Sequence, residues 1–137
     1  MEKIKTSSFK QTVTLNASAA EIYERLMDSK KHAEFTGGKA KIGKKEGDAF
    51  SVFDGYSYGK NVKLVPNKLI VQTWRAVEAE WPEECMSEIT FKLVPLGKNK
   101  TKIEFTHKLI PAHLAAQFKK GWIDYYWEPL RQIYNQN

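Results

Sequence analysis

The chain has 137 residues, and its 22 Lys and Arg against 16 Asp and Glu give a formal net charge of +6. That length is typical of one domain, so we expect residues 1–137 to fold as a single unit around one core. With no apolar run long enough to span a membrane, no signal peptide and a lone cysteine that excludes an internal disulfide, we expect a soluble, cytoplasmic protein.

The positive charge comes almost entirely from lysines, because Arg25, Arg75 and Arg131 are the only arginines. Base readout and bidentate phosphate contacts favour arginine, and most of the lysines are dispersed, so we expect no nucleic-acid partner. The acidic residues are less evenly spread, since five glutamates lie near Trp81: Glu78, Glu80, Glu83, Glu84 and Glu88. Such a polarised chain suits docking to a charged protein surface.

The first third of the chain predicts one strand and two helices. Residues 9–15 alternate between apolar and polar side chains, which is typical of a half-buried strand. Ser18 and Glu21 have the spacing of a capping box, and the apolar residues after them repeat at helical intervals to about Asp28. A second start signal directly afterwards predicts a short helix that ends near Phe35.

The middle of the chain predicts strands separated by turns. Asp54-Gly55 is a two-residue hairpin signal, because both residues tolerate the positive φ that such a turn needs, and Pro66-Asn67 marks the next turn. Gly59 inside a strand indicates a bulge or a close backbone approach. Six strands are predicted here, at residues 39–42, 49–53, 56–65, 68–75, 88–93 and 102–109.

The last two strands and the C-terminal segment supply most of the predicted core. On the strands, seven side chains alternate toward the inside: Ile89, Phe91, Leu93, Ile103, Phe105, His107 and Leu109. After Pro111, six residues at spacings of three and four predict a long amphipathic helix with an aromatic stripe: Leu114, Phe118, Trp122, Tyr126, Leu130 and Ile133. Pro129 falls inside this helix and should kink it or end its regular part.

Helices segregated from an antiparallel meander predict an α+β domain. We expect a curved antiparallel sheet of six or seven strands wrapped around the long C-terminal helix, with the two short helices after the first strand. A curved sheet that grips a helix often leaves a cavity between them, and this cavity is the default small-molecule site.

A series of short motifs accompanies this order of elements: Asp54-Gly55, Gly59, Leu64-Val65-Pro66, Ile70-Val71-Gln72, Trp74-Arg75, Trp81-Pro82-Glu83, Ser87, Thr101, Pro111, Gly121-Trp122, Tyr125-Tyr126 and Leu130. In order and spacing they resemble the family named for the activator of heat-shock protein 90 ATPase, a family of the START-like superfamily with its helix-grip fold. The resemblance covers residues 10–134. Each motif is weak alone, but together they are specific for the family.

The resemblance implies a domain like the C-terminal domain of the founding members, which are two-domain co-chaperones. In those proteins this domain contacts the N-terminal domains of the chaperone. Their other domain, which supplies much of the ATPase stimulation, has no expected counterpart in 137 residues. After Trp81-Pro82-Glu83 the family pattern usually continues through Gly and His, whereas Glu84 and Cys85 stand here and make the loop more acidic.

Six residues are candidate walls of a ligand cavity: Trp74, Phe91, Phe105, His107, Trp122 and Tyr126. A plain core role is the alternative for the aromatic residues among them. A buried tryptophan needs a partner for its indole N–H, so the ring edge of Trp74 is expected near polar atoms. His107 points inward, either as a core histidine with satisfied hydrogen bonds or as a ligand contact or proton-transfer group.

Four residues are candidate partner contacts: Trp81, Pro82, Glu83 and Arg75. A tryptophan in a loop among carboxylates is less easily explained by packing, and tryptophan is a favoured interface anchor. The alternative is that the Trp81 side chain folds back onto the edge of the sheet.

The sequence predicts no catalytic residue, no metal site and no cofactor. His32 and His113 are expected at the surface at helix starts, and the three histidines and Cys85 are too scattered for a zinc site. Cys85 lies in an acidic loop, where nothing lowers the pKa of its thiol, so it is a poor nucleophile.

Three hypotheses remain after the sequence has been read. The leading one is a non-enzymatic binding domain whose partner is a heat-shock protein 90-type chaperone, with a role in the stress response. The second is a binder of a small hydrophobic ligand in the cavity. The third is a cyclase- or hydrolase-like enzyme that uses His107 or a buried carboxylate in the same cavity. Monomer and dimer both stay open.

Overall fold

Seven antiparallel strands form one sheet in the computed structural model, which describes residues 5–78 and 80–135. In chain order they are β1 (Thr6–Leu15), β2 (Lys41–Ile42), β3 (Ala49–Val52), β4 (Ser57–Val65), β5 (Leu69–Ala76), β6 (Ser87–Gly97) and β7 (Lys100–Pro111). Their order across the sheet is β1-β7-β6-β5-β4-β3-β2. The chain therefore passes from one edge to the other after β1 and then returns as a meander, which confirms the predicted sheet.

Two short helices link β1 to β2, and a long helical segment follows β7: α1 (Ala19–Met27), α2 (Ser29–Thr36), α3 (Ala115–Trp122) and α4 (Glu128–Tyr134). The Ser18 hydroxyl caps α1 by accepting the Glu21 amide at 3.1 Å, as the capping box predicts. Asp28 caps α2, and Gly37 ends it with a left-handed φ of 81°. Every helix in residues 5–78 and 80–135 falls short of the length and hydropathy that a bilayer crossing demands.

The C-terminal helix is continuous but irregular. A π-helical turn, Ile123–Trp127, joins α3 to α4, and in it the Glu128 amide donates to the Ile123 carbonyl five residues back. Because Pro129 lacks an N–H and its ring crowds the carbonyl four residues earlier, a regular α-helix cannot pass this point undisturbed. The disturbance predicted at Pro129 is thus a π-helical turn. The extra residue of this turn places two successive rings, Tyr126 and Trp127, in the core.

Aromatic rings fill the contact between the C-terminal helix and strands β6 and β7. The Trp122 ring lies 4.4 Å from that of Phe105 and 5.9 Å from that of Phe91, measured between centroids. Trp127 also contacts Phe105, with centroids 5.2 Å apart. Rings of this size dominate the energetics of a core, so this cluster fixes where the helix lies on the sheet.

The structure corrects the inward position predicted for Leu109, whose surface is 50% exposed. Between the pairs Phe9–His107 and Ser7–Ile110, two residues of β7 lie opposite one residue of β1. This β-bulge gives Leu109 a left-handed φ of 60° and turns its side chain outward, while Ile110 enters the core.

The turn after β3 is longer than the predicted two-residue turn at Asp54-Gly55. Four residues, Phe53–Tyr56, connect the paired ends of β3 and β4, and Phe53 already has a positive φ of 53°. Its ring lies 5.9 Å from the ring of Tyr126. Packing against the C-terminal helix therefore draws Phe53 out of the strand, which local turn signals do not show.

The predicted close approach at Gly59 is confirmed, because a Cβ at this position of β4 would overlap the carbonyl of Thr73 in β5. We expect Gly59→Ala to lower the free energy of unfolding by about 1–3 kcal/mol, since the backbones must move apart to admit a methyl group. Gly97→Ala is the matched control, because a Cβ there meets nothing within 4 Å. Urea unfolding measures both variants, and equal stabilities would contradict this assignment.

Candidate functional site: a cavity between sheet and helix, and the loop beside it

A cavity of about 520 Å³ lies between the sheet and the C-terminal helix. That volume is within the range of roughly 300–1,000 Å³ that small-molecule sites occupy. The sheet side of its wall is formed by Phe53, Tyr56, Ser57, Trp74 and Glu78. The helix side is formed by Gln117, Phe118, Gly121, Trp122, Tyr125 and Tyr126. The wall is therefore mostly aromatic, with a few polar groups among the rings.

Three of the six predicted cavity residues line this space, namely Trp74, Trp122 and Tyr126. The other three lie outside its wall and are buried in the core: Phe91, Phe105 and His107. The Trp122 ring packs against all three, with centroid distances of 5.9, 4.4 and 5.9 Å. Because the indole fills the space above these strands, the cavity opens toward β4 and the β3–β4 turn instead.

His107 is fully buried, and both of its ring nitrogens are hydrogen-bonded. The indole N–H of Trp122 donates to Nδ1 at 3.1 Å, so the proton of the neutral ring sits on Nε2. Nε2 then donates to the Ser87 hydroxyl at 2.8 Å, and that hydroxyl donates to the Trp74 carbonyl at 2.6 Å. This chain of hydrogen bonds ties α3 to β7, β6 and β5.

Burial lowers the pKa of His107 to about 3, because a charged imidazolium would lose its hydration there. The ring is therefore neutral at physiological pH and has no free nitrogen for a ligand. This matches the core role that the sequence allowed for His107, and it leaves the enzyme hypothesis without this proton-transfer group.

The structure corrects the surface position predicted for His32. The residue is 3% exposed, and its Nε2 lies 2.8 Å from the hydroxyl of Tyr126. Burial lowers the His32 pKa to about 4 and raises that of Tyr126, so both groups stay neutral. The ring also packs beside Phe35, at 5.0 Å between centroids. Tertiary packing therefore buries His32, although its place near the start of a helix suggested a surface position.

The polar residues of the cavity wall were not predicted as site residues. Ser57 is 1% exposed, and its hydroxyl has no hydrogen-bond partner among the residues that the structure describes. A signal for it existed in the sequence, because Ser57, Gly59 and Asn61 occupy the inward positions of β4, where a packed core would have large apolar side chains. Of these three residues, Ser57 lines the cavity, and its side chain is too small to fill the space beside it.

Glu78 follows β5 and is held by two donors across the cavity wall. The Tyr56 hydroxyl donates to its Oε1, and the Gln117 amide donates to the same oxygen at 3.2 Å. Burial, together with the neighbouring carboxylate, raises the pKa of Tyr56, so the phenol keeps its proton and stays a donor. The carboxylate therefore has a fixed orientation on a mostly aromatic wall.

Of the two positions left open for Trp81, facing a partner or folded back onto the sheet, the structure shows the second, because the side chain is 3% exposed. Its ring packs against Trp74 and Phe118, with centroids 5.8 and 5.6 Å apart. Its indole N–H donates to the Cys85 carbonyl at 2.7 Å. The ring thus folds back against β5 and α3, because this position offers both apolar contacts and an acceptor for the indole.

Arg75 holds the same loop from β5. Its guanidinium donates to the carbonyls of Trp81 at 3.2 Å, Glu83 at 3.2 Å and Cys85 at 3.1 Å, and also to that of Pro82. Arg75 therefore organises the loop from within, and its role as a partner contact stays a prediction. Pro82 is half-buried and Glu83 is exposed, and their role as contacts stays a prediction.

Cys85 lies at the inner end of this loop and is buried. Burial raises the pKa of its thiol, with Arg75 opposing and Glu84 adding to the shift, so the thiol stays protonated at neutral pH. Within residues 5–78 and 80–135, no three His, Cys, Asp or Glu side chains are grouped so that they could hold a metal ion.

Comparison with known proteins gives a family match over most of the chain. The family model described as Activator of Hsp90 ATPase homolog 1-like protein matches residues 16–135. The human activator of 90 kDa heat shock protein ATPase homolog 1 is 30% identical over 133 residues, and an uncharacterised protein of Schizosaccharomyces pombe is 28% identical over 131 residues. Each alignment covers 96% of this chain and 38% of the relative, so the chain spans little more than a third of those proteins.

A solved structure shows the same fold. The crystal structure of an HSP90 activator from Plasmodium falciparum superposes with a TM-score of 0.86 at 23% identity, covering 93% of this chain and 96% of that chain. The expected fold, a curved antiparallel sheet wrapped around a long C-terminal helix, is thereby confirmed.

The two buried histidines make stability depend on pH. Their pKa values in the folded protein, about 3 for His107 and about 4 for His32, are below the ordinary value of 6.5. As the pH falls below about 6.5, the two imidazoles therefore take up a proton in the unfolded chain but not in the folded protein. Stability is then lost with falling pH, by roughly 2 kcal/mol per histidine between about pH 7.5 and pH 5.

Urea unfolding at the two pH values measures this loss in the wild type and in His107→Gln, whose amide can still pair with Trp122 and Ser87. We expect His107→Gln to lose roughly 2 kcal/mol less than the wild type over this interval. The exposed His113→Gln should behave as the wild type does. An unchanged pH dependence in His107→Gln would show that this histidine is not held neutral.

Proposed function

Because the chain belongs to the Activator of Hsp90 ATPase homolog 1-like family, we propose that it is a non-catalytic binding domain that contacts a 90 kDa heat-shock chaperone. The observation that carries this proposal is the similarity over 96% of the chain to a protein whose name describes activation of that chaperone's ATPase. A role as a chaperone accessory under stress follows from the same relationship.

The loop after β5 supports a surface-mediated contact. Arg75 binds four carbonyls of the loop, and the buried Trp81 anchors it, so its exposed side chains are presented from a fixed backbone. Glu83 and Glu84 are exposed there. A pre-ordered loop loses less conformational entropy on binding than a mobile one, and its charge favours a basic patch on the partner.

The test is calorimetry and an ATPase assay with the 90 kDa chaperone of the same organism. We expect binding at tens of micromolar or tighter, and a several-fold loss of affinity in Glu83→Lys, because the charge reversal opposes a basic partner surface. Glu24→Lys makes the same substitution at an exposed position of α1 and should bind as the wild type does. Absence of both binding and any ATPase change would refute the chaperone contact.

A second function, binding of a small hydrophobic ligand, is supported by the cavity of about 520 Å³. Aromatic walls of this kind bury the apolar surface of a small molecule, which is the main source of affinity in such sites. This function does not compete with a chaperone contact, because the loop surface and the cavity present different side chains.

Filling the cavity tests the second function. Gly121 lines it, and a Cβ at this helical position meets nothing within 4 Å, so Gly121→Leu should occupy the cavity without strain. With methylnaphthalene as the probe, NMR titration should shift the indole N–H signals of Trp74 and Trp122 in the wild type. We expect at least about a tenfold loss of affinity in Gly121→Leu, since burial of the probe is lost.

Gly97→Leu is the matched control, because Gly97 lies outside the cavity wall and also has open space around its Cβ. It should bind the probe as the wild type does. If methylnaphthalene leaves both indole signals unchanged in the wild type, the cavity is not a binding site for apolar molecules.

A further inference from the structure

Glu78 is the one charged side chain on the cavity wall among the residues that the structure describes. The other lining residues are aromatic, small or uncharged. A ligand that fills this space therefore meets negative charge at a single place and apolar rings elsewhere. That pattern restricts the chemistry of the ligand more than the volume does.

The Glu78 carboxylate can accept a hydrogen bond from a ligand through one of its two oxygens. Both protein donors, the Tyr56 hydroxyl and the Gln117 amide, bind Oε1. Oε2 has no hydrogen bond or ion pair within the described residues, so it is left to accept from a ligand. Since the two donors already hold the side chain, little conformational entropy is lost when a ligand binds.

The surrounding charges reinforce the preference for a cation. Three further glutamates follow on the same segment, at positions 80, 83 and 84, in a protein whose net charge is +6. Arg75, a cation near the end of β5, has its guanidinium bound to loop carbonyls. A carboxylate ligand such as a fatty acid would be repelled here, because nothing on the wall neutralises it.

The remaining wall suits the body of an aromatic amine. Trp74, Trp122 and Tyr126 offer rings for stacking, and their faces also attract a cation that lies over them. The Ser57 hydroxyl is a second polar group of the same wall, buried and without a partner in the described part of the chain. A buried unpaired hydroxyl is unfavourable, and a hydrogen bond from a ligand would relieve it.

We propose that the cavity binds small aromatic molecules that carry a protonated amine, with the ammonium paired to Glu78 and the ring system held between the sheet and the C-terminal helix. This inference rests on the second proposed function, that the cavity is a ligand site. It adds the class of ligand, and it names Glu78 as the residue that selects for it.

Three probes with the same ring test it at neutral pH: naphthylmethylamine, naphthylacetate and methylnaphthalene. We expect the amine to bind about tenfold or more tightly than naphthylacetate, because a charge-assisted hydrogen bond replaces a repulsion, with methylnaphthalene between them. Glu78→Gln should remove the advantage of the amine and leave the affinity for methylnaphthalene unchanged. Glu84→Gln removes the same charge from an exposed position of the loop and should keep the order of affinities.

Each alternative outcome overturns a defined part of the proposal. If naphthylacetate binds as tightly as the amine, or if Glu78→Gln keeps the preference for the amine, the assignment of the ligand class is wrong. The cavity remains a ligand site in that case, because methylnaphthalene still binds. If none of the three probes shifts the indole signals of Trp74 and Trp122, the ligand site and the ligand class are both refuted.

Discussion

The arrangement of this protein depends on a buried chain of hydrogen bonds from the Trp122 indole through His107 and Ser87 to the Trp74 carbonyl. A histidine in this position is tolerated because its ring is neutral and both nitrogens have partners, whereas an unpaired polar group there would destabilise the fold. These hydrogen bonds connect three neighbouring strands, β5, β6 and β7, with the C-terminal helix. Because hydrogen bonds are directional and apolar contacts are not, this series sets both the position and the rotation of the helix on the sheet.

The cavity is a consequence of that position. With Trp122 packed over β6 and β7, the helix lies closely on one half of the sheet and less closely on the half that contains β4. There Ser57 holds an inward position of β4 and is too small to fill the space. Phe53 and Tyr126 close one side, and Trp74 with Phe118 closes another. The tightly packed region around Trp122 thus leaves an unfilled region beside it, which is the ligand site that we propose.

The sequence predicts most of the fold because its periodicities and turn signals are local. The capping box at Ser18, the close approach at Gly59 and the disturbance at Pro129 were all recognisable in this way. Leu109, by contrast, depends on a bulge in the pairing of two strands far apart in sequence. The local context makes His32 look exposed and leaves the position of Trp81 open, yet both side chains are buried, where the Tyr126 hydroxyl pairs with Nε2 of His32 and the Cys85 carbonyl accepts from the Trp81 indole. Which aromatic residues line the cavity likewise depends on where the Trp122 ring lies.

The most direct test of this account is a double-mutant cycle between Trp122 and His107. Trp122→Phe removes the indole donor, His107→Leu removes the acceptor, and the free energies of unfolding of both variants and of the double variant are measured in urea. If the hydrogen-bond chain anchors the helix, the double variant should lose less stability than the sum of the single losses, with a coupling of about 1–3 kcal/mol. Additive losses would contradict the claim that these two residues act as one connection between helix and sheet.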